Sequence, residues 1–108
     1  MTRPEAIQLI RFEAFDDNGI VELAAAGQVC EFERFSKLVD AVEALARFDR
    51  THEVIEKEVA GTLFHLNFQL SASIASWTTE TYENNFYFAQ LTQDLQKASE
   101  AYFALPDL

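Results

Sequence analysis

A serine and a histidine near each other can act as a nucleophile and its base, and His65, Ser71 and Ser73 occur together in the segment 62–77. Apolar and polar residues alternate in this segment, which predicts a strand, and same-face neighbours on a strand lie roughly 7 Å apart. Ser71 and His65 are therefore too distant for a nucleophile–base contact. The few glycines allow neither a phosphate loop nor a nucleophile elbow. We predict that the protein is not an enzyme.

Two other groups of residues could carry chemistry, and the sequence favours a structural role for both. The run from His52 to Glu56 lacks the second histidine of the helical zinc motif and the three or four ligands that a metal site needs. Cys30 could pair with His52 or His65, but a lone cysteine without a local signature more often packs as a small apolar residue. We predict no metal and no cofactor.

The segment 62–77 is the centre of the predicted fold. Its even positions, such as Phe64, Leu66 and Phe68, are apolar and its odd positions are mostly polar, which predicts a long half-buried strand. Asn18-Gly19 predicts a tight hairpin turn between a strand at 7–15 and a strand at 20–26. Shorter strands are predicted for four further β-prone segments: 28–33, 53–59, 78–82 and 86–89.

Two segments have a helical period instead. In residues 36–48 the apolar side chains fall on one stripe behind Ser36 as N-cap, and residues 92–105 repeat this pattern behind Thr92. We therefore predict a single α+β domain over residues 1–108. A mainly antiparallel sheet of about five to seven strands would pack against the two amphipathic helices.

Composition and charge restrict the class of partner. The chain of 108 residues has 18 acidic and 8 basic residues, and its net charge of −10 argues against nucleic acid, which needs a basic patch. A basic protein is the expected partner. Residues 59–79 lack charged side chains, but their alternating polar residues argue against a membrane span. The single cysteine and the absence of a secretory signal pattern predict a cytoplasmic protein.

The odd face of the central segment predicts a recognition surface. Its side chains are uncharged hydrogen-bonding groups in a chain rich in carboxylates, and nearby aromatic residues could act as anchors. Acidic residues from flanking strands would border this surface and attract a basic protein. An ordinary polar sheet face, or one covered by a helix, is the alternative interpretation. The predicted partner-binding residues are His65, Asn67, Gln69, Ser71, Trp77, Glu80, Tyr82 and Glu83.

In the order of its predicted elements, the chain resembles small acidic bacterial immunity proteins of toxin–immunity systems. The residues that carry this resemblance are the hairpin at Asn18-Gly19, the helix SKLVDAVEALARF, the strand FHLNFQLSASI and the closing segment FYFAQLTQDLQKASEAYFAL. The resemblance implies a cytoplasmic inhibitor that neutralises a basic toxin domain and has no catalytic residues of its own.

Three other functions stay open on the sequence. The first is an acidic secretion chaperone or adaptor, which would be a dimer with an exposed apolar groove. The second is a small α+β enzyme or ligand-binding protein whose pocket between helices and sheet would bring His65, Tyr82 or Tyr87 close to an acid. The third is a structural subunit of a homo-oligomer that uses the long strand as an edge. Both a monomer and a homodimer fit the sequence.

Overall fold

The computed structural model describes residues 1–51 and 54–104, and all regular structure within them is α-helical. The predicted α+β fold is therefore wrong, because the predicted sheet is replaced by helices. The run from His52 to Glu56 lies partly outside the described residues, as does Leu105. The helices of the described ranges are α1 (Arg3–Phe15), α2 (Ile20–Ala25), α3 (Phe32–Asp49), α4 (Lys57–Ala75), α5 (Thr79–Asn84) and α6 (Phe86–Phe103).

The predicted strand at 7–15 is part of α1. Thr2 caps this helix, since its hydroxyl accepts a hydrogen bond from the Glu5 backbone N–H while the Glu5 carboxylate accepts one from the Thr2 N–H. This reciprocal pair is a capping box, and it satisfies N–H groups that a helix start leaves unpaired. The buried residues Ala6, Ile10 and Ala14 recur every four positions, which is a helical stripe.

Asn18-Gly19 does not form a β-hairpin; it joins α1 to α2. Glycine is required at position 19 because a Cβ there would lie 2.5 Å from the carbonyl oxygen of Phe12 and 2.7 Å from that of Glu13. Gly27 ends α2 with a φ of +82°, and the N–H of Gln28 reaches back to the carbonyl of Leu23. This hydrogen bond and the positive φ of Gly27 are features of a Schellman motif, in which glycine adopts the left-handed conformation at low cost.

The predicted central strand at 62–77 is also wrong, because most of it forms α4. Leu66 and Leu70 are buried, whereas Phe64 and Phe68 are exposed. Residues four apart share a face on a helix as well as on a strand. The buried stripe of Leu66 and Leu70 and the exposed stripe of Phe64 and Phe68 both fall at even positions, so together they give the sequence an apolar period of two. Only Thr62 and Ile74 in this segment are β-branched, which is a signal against a strand.

The four shorter predicted strands are also wrong, because these segments form helices or the connections that lead into them. Residues 78–82 lie mostly in α5, residues 86–89 begin α6, and 28–33 run as a connection into the start of α3. The segment 53–59 leads into α4, apart from Glu53, which is outside the described residues. The two predicted helices are present as parts of α3 and α6. Both begin earlier than predicted, so Ser36 and Thr92 lie inside helices and cap neither.

The four long helices form a bundle in which like-directed helices are neighbours. Phe35 packs against Phe88 near the start of α3 and α6, and Tyr102 bonds Asp49 near their ends, so these two helices run in the same direction. Arg11–Glu58 and Phe15–His65 contacts show the same for α1 and α4. The first pair is antiparallel to the second, since Arg3 meets Asp49 and Arg34 meets Glu13. Leucine, isoleucine and phenylalanine side chains fill the space between them.

Two buried carboxylates connect α1 to α3. Glu13, 3% exposed, accepts two hydrogen bonds from the Arg34 guanidinium, at 3.0 and 2.7 Å, and one from the Ile20 backbone N–H. Hydrogen bonding to Glu13 raises the pKa of Arg34. At the opposite end Asp49 accepts two hydrogen bonds from Arg3, and this contact raises the pKa of Arg3. Such planar bidentate pairs fix the register of the two helices.

Candidate protein-interaction surfaces

The four predicted polar residues of α4 do not share one face. Successive helical residues are turned by about 100°, so His65 and Gln69 lie on one side and Asn67 and Ser71 on the other. His65 stacks on Phe15 of α1 with ring centroids 4.9 Å apart. Asn67 donates to the Ser99 hydroxyl of α6 at 2.9 Å. These contacts join α4 to its neighbours, so the shared polar strand face that we predicted is wrong.

The other four predicted partner-binding residues follow α4. Trp77 is half-buried and its ring lies 5.6 Å from that of Phe88, so it packs on the core. Glu80, Tyr82 and Glu83 are exposed on the short helix α5. They lie at the end of the bundle where α4 finishes, and their role in binding stays a prediction.

The outer face of α4 is the first candidate surface. We define it as Gly61, Phe64, Phe68, Ala72 and Ala75, which are all exposed and fall within about a quarter of the helix circumference. Phe64 is 69% exposed and Phe68 is 58% exposed, and their rings stack at 5.8 Å. Exposed aromatic side chains clustered on one face mark interaction sites more often than scattered ones do.

Phe15 of α1 extends this face sideways. It is 52% exposed and stacks on His65, whose ring lies beside the outer face. The Arg11–Glu58 ion pair borders the surface at the start of α4. Residues 59–79 contain no aspartate, glutamate, lysine or arginine, so the outer face of α4 carries none of these charges.

The groove between α3 and α6 is the second candidate surface. Its volume is about 460 Å³, and Val39, Leu91 and Ala98 form an apolar floor. Phe32, 53% exposed, stands at one end. Asp40 and Glu43 line the α3 side, and Asp94 and Lys97 line the α6 side. Three carboxylates and one ammonium group above an apolar floor give the groove a negative potential.

The groove continues past Glu43 into a basic end. A further hollow of about 340 Å³ is lined by Ala46, Arg47, Arg50 and Ala101. Asp40 and Asp94 lie at the middle of α3 and α6, and Glu43 lies about one turn further along α3, whereas Arg47 and Arg50 lie at the end of α3. A ligand that extends along the groove therefore passes the carboxylates before it meets the arginines, which fixes its direction.

One hydrogen bond ties α6 to the connection before α3, and another ties α6 to the end of α3. The Tyr87 hydroxyl donates to the Cys30 carbonyl at 2.9 Å, and the Tyr102 hydroxyl donates to the Asp49 carboxylate at 3.1 Å. Burial, with the nearby Asp49 carboxylate as a second cause, raises the pKa of Tyr102 to about 12. Burial likewise raises the pKa of the Cys30 thiol to about 11. At neutral pH the thiol is therefore protonated and a poor nucleophile.

The described residues bring together no group of three or more histidine, cysteine or carboxylate side chains that could hold a metal ion. A half-open pocket between α1, α3 and the start of α4 has a volume of about 50 Å³, far below the several hundred Å³ of typical ligand pockets. The predicted pocket between helices and a sheet is absent with the sheet itself. Within the described ranges no helix has the length and apolar character needed to span a bilayer.

Sequence reasoning missed both surfaces, although each left a signal. Phe64, Phe68 and Ala72 recur at i, i+4 and i+8, and Val39 with Asp40 and Glu43 marks the side of a helix where apolar and acidic residues meet.

Compared with known protein families, known proteins and solved structures, the chain shows no significant match to any of them. The strands that supported the resemblance to immunity proteins form helices, so the element order behind it is wrong. A role in toxin immunity stays an untested prediction.

Proposed function

We propose that this protein is a non-catalytic binding protein that holds a basic amphipathic segment of another protein in the groove between α3 and α6. The observation that supports it is the apolar floor of the groove with carboxylates above it on both helices. An amphipathic helix recognises such a groove by placing its apolar face on the floor. Its lysine and arginine side chains then meet the carboxylates on either side.

The charges define the chemistry of this segment. Asp40, Glu43 and Asp94 pair with basic side chains in the middle of the ligand, and Phe32 packs on an apolar residue at the start of the groove. The end of the bound segment that lies beside Arg47 and Arg50 is uncharged or acidic. The net charge of −10 attracts a basic partner at long range and speeds its association at low salt.

The groove is preorganised for binding. The contact between α3 and α6 is the most extensive between any two of the described helices. Phe35 and Phe88 interlock edge to face at one end, and the Tyr102–Asp49 hydrogen bond joins the helices at the other. A ligand therefore binds without the entropic cost of ordering the two walls.

Binding of a model ligand tests this proposal. The probe is a fluorescent amphipathic peptide of about 18 residues, five helical turns, with leucine on one face and lysine on the other. The groove variant combines Asp40→Asn, Glu43→Gln and Asp94→Asn. The matched control combines Glu22→Gln, Glu80→Gln and Glu83→Gln, which removes the same number of exposed or half-buried carboxylates elsewhere. Anisotropy is measured at about 0.05 M and about 0.5 M salt.

We expect the wild type and the control to bind with similar, salt-sensitive affinity and the groove variant to bind at least about tenfold more weakly. Backbone NMR shifts caused by the peptide should concentrate on α3 and α6. Equal weakening in both variants would mean that only net charge matters, and loss in the control alone would place the site at Glu80 and Glu83.

A second candidate function is favoured by the outer face of α4. An acidic secretion chaperone or adaptor needs an exposed apolar surface for its cargo, and Phe64 and Phe68 provide one. In that case Phe64→Glu and Phe68→Glu abolish the suppression of aggregation of an unfolded client protein, while the groove variant keeps it. Unchanged suppression in the phenylalanine variants would exclude this function.

A further inference from the structure

The outer face of α4 is symmetric about the middle of the helix. α4 is Lys57–Ala75, so its midpoint is position 66, and Phe64 and Phe68 lie at equal distances on either side. Small residues follow in both directions, Gly61 toward the start and Ala72 toward the end. The symmetry is limited to this central part of the face, because the exposed Lys57 at the start of the helix corresponds to Ala75 at its end. A helix face whose central part reads almost the same in both directions is complementary to itself when a copy is placed antiparallel to it.

We propose that two copies of this protein pair through the outer faces of α4, with the helices antiparallel and a two-fold axis near position 66. Phe64 of one copy then lies opposite Phe68 of the other, and Gly61 lies close to Ala72. A two-fold interface uses the same surface on both subunits, as this pattern requires. The small residues let the two helices approach closely, so the four central rings form one aromatic cluster.

Charge favours a second copy as the occupant. Two molecules that each carry a net charge of −10 repel each other wherever their carboxylates meet. The outer face of α4 belongs to a segment without carboxylate side chains, residues 59–79, so two copies can meet there without opposing carboxylates. A basic partner would gain no ion pairs on this neutral face and is expected in the groove between α3 and α6 instead.

The exposed aromatic rings supply a large part of the area that a dimer needs. Phe15, Phe64 and Phe68 are each more than half exposed and together offer roughly 350 Å² of apolar surface. Stable interfaces bury about 800 Å² on each partner. The three rings supply close to half of that area, and the rest comes from the five exposed turns of α4 and the neighbouring side of α1.

Sedimentation and light scattering test the pairing. At about 100 μM the wild type is expected to be a dimer, while Phe64→Glu and Phe68→Glu raise the dissociation constant about a hundredfold or more, because each change acts twice in a two-fold interface. The matched control is Phe86→Glu, since Phe86 is 53% exposed on a different helix. Circular dichroism confirms that each variant is folded. A monomeric wild type, or a Phe64→Glu variant that stays dimeric, would overturn the proposal.

Dimerisation and peptide binding are expected to respond to salt in opposite directions, which distinguishes this pairing from the proposed function. Screening weakens the repulsion between acidic copies, so dimerisation strengthens as salt rises, whereas binding of the basic peptide in the groove weakens. The dimer-blocking variants keep peptide binding, and the groove variant stays dimeric. Either proposal can therefore fail without the other.

A spin-label distance tests the direction of the helices. A nitroxide is attached through Ser76→Cys in a Cys30→Ala background, since Cys30 is the single cysteine and Ser76 is exposed outside the pairing face. In the antiparallel pair the two Cα atoms of position 76 lie about 31 Å apart, from 1.5 Å per residue along the helix and the usual helix spacing. A parallel pair would bring them to about 10 Å. A short distance would refute the antiparallel arrangement.

Discussion

Truncating Leu66 tests the assignment of buried and exposed faces on α4 most directly. Leu66 and Phe64 are both apolar and at even positions, so a strand would bury them together. In the helix Leu66 is 0% exposed and Phe64 is 69% exposed. Replacing a fully buried leucine by alanine removes apolar contacts and leaves a cavity, which costs about 3 kcal/mol. Phe64→Ala loses only the contacts of the buried third of its side chain, at most about 1 kcal/mol.

Urea unfolding followed by Trp77 fluorescence and circular dichroism measures the difference. For a domain of this size, a loss of about 3 kcal/mol moves the midpoint by about 2 M urea, whereas the Phe64→Ala shift stays below about 1 M. The measurement is repeated at two protein concentrations, because dimerisation makes stability depend on concentration. The part that is independent of concentration reports the monomer.

Equal free-energy losses for Leu66→Ala and Phe64→Ala in the monomer would refute this reasoning. They would mean that both side chains are buried, as on a strand or on a helix turned differently. Leu70→Ala is a second check, because Leu70 lies one turn after Leu66 and is equally buried. Its cost should match that of Leu66→Ala within about a factor of two.

Three further predictions follow from the packing of the bundle. Gly19→Ala should lower the unfolding free energy by about 2 kcal/mol, because the added Cβ would meet two backbone carbonyls. Gly61→Ala has open space around the added Cβ and should raise the unfolding free energy of the monomer by about 0.5 kcal/mol. Urea midpoints distinguish the two variants, and similar effects would contradict the close approach at Gly19. Glu13→Gln should cost about 2 kcal/mol, while Glu58→Gln, in an exposed ion pair, should leave stability nearly unchanged in the same assay. The pKa of Cys30 is raised from 9.0 to about 11 and that of Tyr102 from 10.0 to about 12, so the folded state holds protons that the unfolded chain loses. The contribution of these two groups to the unfolding free energy should be constant below pH 9 and fall between pH 9 and 12, and Tyr102→Phe should remove the upper part of this fall in a pH series of urea titrations.

The sequence contained more helical signals than the strand prediction used. Thr2 and Glu5 form the T-x-x-E pattern of a capping box directly before an apolar stripe, and this pattern marks a helix start. In 62–77 the scarcity of β-branched residues also favoured a helix. Gly19 was read as a turn glycine, although its role is to admit backbone carbonyls of α1. That role depends on a contact between elements and has no local pattern.

The candidate surfaces were harder to predict than the helices. Phe64 with Phe68 and Leu66 with Leu70 are equally apolar pairs, each one helical turn apart, and no property of either pair says which is buried. The groove needs α3 and α6 side by side in the same direction, although α4 and α5 lie between them in the chain. Long-range contacts such as Tyr102–Asp49 decide that arrangement.

The sequence by itself determined the net charge of −10 and the apolar stripes of residues 36–48 and 92–105, because charge and period are local properties. Tertiary structure decided the rest. α1 and α6 cover the Leu66 side of α4 and leave the Phe64 side open, since Phe15 contacts His65 and Ser99 contacts Asn67. Which of two equivalent apolar stripes becomes core is set by the neighbours that pack on it, and that choice places an aromatic surface on an acidic protein.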